Sequence, residues 1–383
     1  MDLILFMGHH KVGSSALQLF LARNWLALAR AGVLYPAVEA QGMAANLSAA
    51  LAGASSGAGV KAGAGLAGGG KPRALRLNER EPHNALAFRM MHDDSGRAVP
   101  PWHPKLPHSS QMIRIIRAQI EALKPRAVVL CSEVFANFGP DHPAALARLA
   151  AALPGAKRVR ILCTLRRPDT YLVSWHGQRL KFGHKVPALR GDALDIYWKG
   201  IHFDYRRMLE PWFDAFPGAE FDIRDYADVL AAGGSVADFA ARSGLALPEG
   251  LEEVRSANPS VHPALMEVAR RANAELEAEP SRLLRQHLIK AGEKLAVHGA
   301  REVEMFGPAN RDLMAARFAP IDAWLGERVG RAGFFPDLDA VARPAPVAEL
   351  DAAREALAAL RRPRELRALP GPARDFVTGL ELA

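Results

Sequence analysis

The sequence predicts an α/β fold, a parallel β-sheet flanked by helices with a helical C-terminal elaboration. Three observations carry that prediction. Four short apolar runs read as buried strands: Leu3–Met7, Ala127–Ser132, Arg158–Leu165 and Glu220–Arg224. The first three run directly into helix-forming sequence, and strands alternating with helices form a parallel sheet covered on both faces. Beyond about residue 258 only helical periodicity remains.

In chain order, the first strand is followed by a loop of small residues and a helix over Ser15–Arg30. Residues 52 to 71 hold eight glycines in twenty positions, too little apolar surface to offset the entropy of ordering. A flexible insert at about 52–75 is therefore expected, with a mobile lid as its functional alternative. Helices are expected over Gln111–Leu123, Pro143–Leu153, Thr170–Lys181 and Ser235–Ala241, each beside one of the later strands. The all-helical part comprises Pro263–Glu277, Ser281–Lys294 and Asn310–Val329. Residues 1–335 then form one domain, and 336–383 read as a peripheral Pro/Ala/Arg-rich tail with one helix, Glu349–Arg361.

With 383 residues, 49% apolar and 23% charged, the chain has the composition of a globular domain. No apolar stretch approaches the roughly 18–20 residues that cross a bilayer, and the opening apolar run is too short for a signal peptide. Cytoplasmic residence is the default expectation. Cys131 and Cys163 lie in strand-like runs and read as reduced core thiols. The net charge of +8 favours anionic partners, but the basic residues are dispersed, with no arm of the kind that binds nucleic acid.

The stretch Gly8–Ser15, GHHKVGSS, keeps the glycine spacing of a nucleotide phosphate loop. Its lysine departs from that pattern: Lys11 precedes Gly13, and Ser14 occupies the usual lysine position. A strand end, a small-residue turn and a helix start direct backbone N–H groups, two hydroxyls and the helix macrodipole at one anion, with Lys11 in reach. An ordinary strand–turn–helix connection is the plainer alternative. A second group begins at Leu165, where the third strand ends. Arg166 stands at the strand edge, Pro168 and Asp169 suit a helix start, and Ser174 follows eight residues after the arginine. Arginine and a hydroxyl converging suit a second phosphate. Pairing of Arg166 and Arg167 with carboxylates is the alternative.

Together these stretches resemble the sulfotransferase superfamily, especially its bacterial carbohydrate-type branch. The resemblance rests on Lys11, Gly13, Ser14 and Ser15, then Arg166, Pro168 and Ser174, and covers roughly residues 1–35 and 125–330. It implies a P-loop-like fold and 3′-phosphoadenosine 5′-phosphosulfate (PAPS, giving PAP) as cosubstrate, with no metal. By the same resemblance the loop Lys11, Val12, Gly13, Ser14, Ser15 and Ala16 cradles the 5′-phosphosulfate, while Arg166 and Ser174 hold the 3′-phosphate. Val12 and Ala16 depart from the family pattern, and its adenine-stacking tryptophan and R-K-G motif are missing, which turns attention to Asn258–Ser260 for adenine. Lys11 would stabilise the leaving phosphate. Glu133, at the carboxyl end of AVVLCS, would be the general base. The acceptor would be a hydroxyl, secondarily an amine, of a glycan, lipid or small metabolite.

His9 and His10 flank the loop, and packing is their plain alternative. His83, His92, His103 and His108 are too widely spaced for a metal site. Tyr171 and Trp175 share a helix face that reads as core. The competing functions are a nucleotide-dependent kinase with a degenerate phosphate loop, which would need Mg²⁺, and a non-catalytic PAP-binding protein.

Overall fold

The structure, a computed structural model, describes residues 1–55, 75–103, 105–254 and 260–382. It is a mixed α/β protein with a parallel sheet flanked by helices, and its chain forms two compact units. One comprises Met1–Arg166 with Arg206–Ser256, the other Arg167–Tyr205 with Ala257–Ala383.

The first unit holds the sheet. Its strands are β1 (Asp2–Phe6), β2 (Val33–Leu34), β3 (Ala127–Cys131), β4 (Arg158–Leu165) and β5 (Glu220–Asp225). They lie in the order β2-β3-β1-β4-β5, every pair parallel, with Leu5 opposite both Leu130 and Ile161. All five β3 residues are buried, as expected of a strand covered on both faces. On one face Ile4, Phe6 and Val129 pack with Val12, Leu17, Phe20 and Leu21 from the loop and the helix Ser14–Arg23. Burying each such side chain stabilises by roughly 1.5–3 kcal/mol.

The departures from expectation have local causes. The helix expected over Ser15–Arg30 is two, Ser14–Arg23 and Trp25–Arg30. Asn24 divides them: its side chain donates to the carbonyls of Phe20 and Glu252 and accepts from Glu252 N–H at 2.7 Å. Ser132 is not in β3, because its hydroxyl accepts from Val134 N–H at 3.0 Å and caps a 3-10 turn, Glu133–Asn137. β2 escaped the sequence reading because two residues make no periodicity. The Gly/Ala-rich insert lies largely outside the described residues, and its start, to Ser55, belongs to the helix Ala40–Ser55.

In the second unit Pro168–Lys181 packs on Pro263–Glu275 so closely that a Cβ on Gly177 would meet Met266 at 2.6 Å. Ala278–Leu295 and Pro308–Arg328 complete the helical part. The tail reading needs correction. It carries three helices, Glu349–Leu360, Pro363–Arg367 and Gly371–Gly379, and the first buries Ala352, Ala353, Ala356 and Leu360. Alanines let that helix approach its neighbour closely, so a composition that reads as a loose tail builds a packed face. No described helix is long and apolar enough to cross a membrane.

Candidate functional site

The site grows from the carboxyl edge of the central strand. The chain leaves β1 toward β2 but leaves β4 toward β5, so connections diverge between these neighbours, the kind of switch point at which open parallel sheets bind ligands. Met7 N–H donates to Leu162 O at 3.0 Å and His9 N–H to Thr164 O at 2.9 Å, which holds the loop's start along β4.

Beyond His9 the backbone turns left-handed at Lys11 (φ 68°) and at Gly13 (φ 85°). This places Val12, between them, wholly inside the core with Leu17 and Phe20. Val12 is thus the loop's anchor. Gly13 has little room, since a Cβ there would lie 3.1 Å from Ser235 Oγ, which itself donates to Gly13 O at 2.8 Å. The helix starts at Ser14, one residue earlier than expected, with Ser14 buried and Ser15 and Ala16 half-buried. Leading N–H groups of a helix lack partners within it, and together with left-handed turns they suit an anion. Arg166 leaves β4 toward this loop: its guanidinium donates to Lys11 O at 3.5 Å and lies 5.4 Å from the centre of the Tyr226 ring.

Glu133 leaves β3 on the other side of β1, half-buried, as the first residue of its 3-10 turn. Gln18 Nε2 donates to Glu133 Oε2 at 2.9 Å, and Asn84 Nδ2 to Oε1 at 3.4 Å. Asn84 also donates to Glu81 Oε2 at 3.1 Å and accepts from Ser132 Oγ at 2.6 Å. Two carboxylates are thereby joined through one amide. Burial raises the Glu81 carboxyl above its ordinary range; Arg80 opposes this and the Glu133 charge adds to it. His10 Nε2 lies 3.3 Å from Asn137 Oδ1, its pKa lowered by burial against the pull of Glu133.

Lys11, Val12, Gly13, Ser14, Ser15, Ala16, Glu133 and Arg166 thus all belong to the first unit, at adjacent strand ends. Ser174 belongs to the second, half-buried within Pro168–Lys181. There Arg167 grips Asp169 with two hydrogen bonds, 2.7 and 2.9 Å, and also pairs with Asp337. Asn258 and Pro259, considered for adenine, lie outside the described residues. Sequence reasoning missed Gln18, Asn84 and Glu81; a lone amide within the apolar run LQLFLA was the available signal.

The remaining candidates have structural partners. His83 Nδ1 accepts from Cys131 N–H at 3.1 Å, and burial pushes its pKa down to about 3. His103 meets Asn78 at 2.6 Å, and His108 caps the helix Ser109–Leu123. Tyr171 is fully buried, its hydroxyl 2.6 Å from His202 Nδ1, and Trp175 stacks on both rings. Both cysteines are buried and unbridged.

Fold and site together define a class: an α/β protein presenting a lysine-bearing strand-to-helix loop and a clamped carboxylate at the carboxyl edge of a parallel sheet. Among curated proteins the chain is similar to an uncharacterized protein of Archaeoglobus fulgidus, 37% identical over 122 residues. The matched part is 32% of this chain and 32% of that protein, so the chain spans about a third of the relative's length. No family model matches the chain, and no solved structure matches it.

Proposed function

We propose that the protein is a PAPS-dependent sulfotransferase of P-loop-like fold, acting in the cytoplasm on a hydroxyl of a glycan, lipid or metabolite. One observation supports this most: a loop left-handed at both Lys11 and Gly13, with Arg166 and Glu133 leaving the strands on either side. That loop suits a tetrahedral anion, and Lys11 and Arg166 bring two positive charges to it. The bound cosubstrate would supply an activated sulfuryl group. The backbone of Lys11–Ala16 would hold its 5′ end, and Arg166 its 3′-phosphate.

In the transfer, the acceptor oxygen bonds to sulfur as the bond from sulfur to the phosphate oxygen breaks. The electron pair of that bond stays on the phosphate. Lys11 offsets the charge growing there. Glu133, its carboxylate aimed by Gln18 and Asn84, takes the proton of the acceptor hydroxyl.

PAP should raise the melting temperature and bind by calorimetry without added metal. Lys11→Ala should abolish transfer of labelled sulfate from PAPS. Glu133→Gln should keep PAP binding while lowering turnover roughly 10²-fold or more. No heat with PAP at high micromolar concentration would overturn the reading, and phosphorylation that needs ATP and is blocked by EDTA would favour a kinase instead.

A further inference from the structure

The second unit contains a cleft of about 440 Å³ between the helix Ala278–Leu295 and the tail around Arg362–Ala368. His287, Lys290 and Lys294 share one helix face, spaced three and four residues apart. Arg362, Arg364 and Glu365 line the cleft from the tail. Four cations therefore surround one carboxylate, and that carboxylate is already 3.0 Å from His287 Nε2.

Some of the basic side chains of the unit are neutralised locally. Arg190, Arg270, Arg282, Arg311 and Arg354 each pair with a carboxylate. Among the described residues, Lys290, Lys294, Arg362 and Arg364 pair with none. Helix dipoles account for part of the pattern, since Lys294 lies in a last helical turn. They do not account for Lys290, a turn earlier in the same helix. Like charges gathered around a concavity repel one another, and the field they focus there is relieved by a counter-anion. Ala291 and Ala359 line the same space with methyl groups, leaving room within the roughly 300–1,000 Å³ typical of small-ligand sites.

We infer that this cleft is a binding site for a small solute bearing two or more phosphate or sulfate groups. It uses none of the residues assigned to sulfuryl transfer, so it stands apart from that proposal.

The test is calorimetry of the full chain with inorganic tripolyphosphate, alongside vesicles containing phosphatidylglycerol. Tripolyphosphate should bind with affinity falling steeply as salt rises. The double variant Lys290→Glu with Arg364→Glu should bind roughly tenfold more weakly or worse at an unchanged melting temperature. Lys294→Gln with Arg362→Gln, a milder change, should show an intermediate loss. Lys11→Ala, which weakens only the anion loop of the first unit, should retain the tripolyphosphate binding that the charge-reversed variant loses. Equal affinity in the charge-reversed variant would overturn the site. Loss of binding in Lys11→Ala would overturn it too, by placing the anion at the loop. Binding to vesicles without binding to tripolyphosphate would assign the cleft to a lipid headgroup and overturn the solute reading.

Discussion

Lys11 is the residue on which the loop turns, and its backbone bears a cost that its side chain does not explain. A left-handed conformation disfavours any residue with a Cβ by roughly 1–2 kcal/mol, and Lys11 adopts it at φ 68°. The reason lies next to it: Val12 must enter the core, and turns at both neighbours put it there. Lys11→Gly and Lys11→Ala remove the same ammonium but differ in this strain. The glycine variant should be the more stable by about 1 kcal/mol in urea unfolding. Equal stability would mean that the left-handed turn stores no strain. Sequence spacing singled out Lys11, Gly13 and Arg166, and the end of an apolar strand together with the family resemblance singled out Glu133. Neither could show the clamp on Glu133, because Gln18 meets Asn84 across 66 residues and Glu133 across 115. Only folding brings those amides together, and a polar residue in an apolar helix carries no mark of its partner.

Among the elements, the long buried strands were legible and the short or interrupted ones were not. β4 has the expected limits, β3 and β5 differ from theirs by a residue at one end, and β1 is shifted by one residue at both ends. Apolar runs wholly buried in a parallel sheet leave a strong signal. The break at Asn24 leaves none, because asparagine is only mildly unfavourable inside a helix. What ends the helix is a tertiary bond pair to Glu252, 228 residues away. Asn24 is buried, so Asn24→Ala would strand the Glu252 N–H and C=O groups. The expected loss is about 1–3 kcal/mol. Hydrogen exchange should quicken across residues 14–30. A variant as stable as the parent, with a helix running through position 24, would show that the break comes from the local sequence instead.

For the molecule as a whole, the net charge of +8 says little about stability; the buried titratable groups say more. In each unit a buried histidine is held neutral. His83 in the first and His176 in the second have pKa values pushed down to about 3, chiefly by burial. Below the ordinary histidine pKa of 6.5 the unfolded chain takes up a proton that the folded chain refuses. Both units therefore lose stability as pH falls from that value toward 3. The second unit also has a group with the opposite slope. Glu349 is 4% exposed and its pKa is raised to about 7, foremost by burial, although Arg190 bridges it to Glu267 and Arg270 stands beyond. Because the folded state holds this proton more tightly than the unfolded state, whose ordinary value is 4.5, the stabilisation is full below 4.5. It is lost as pH rises to about 7. At about 1.4 kcal/mol per pKa unit the loss is about 3–4 kcal/mol at most. Glu349→Gln keeps the shape without the charge. It should match the parent near pH 5, melt several degrees higher at pH 8, and flatten the decline between. Hydrogen exchange over residues 263–275 and 349–360 would locate the gain in the second unit. If the variant is instead less stable at pH 8, the bridge to Arg190 outweighs the burial of the charge, and Glu349 stays ionised as a structural anion.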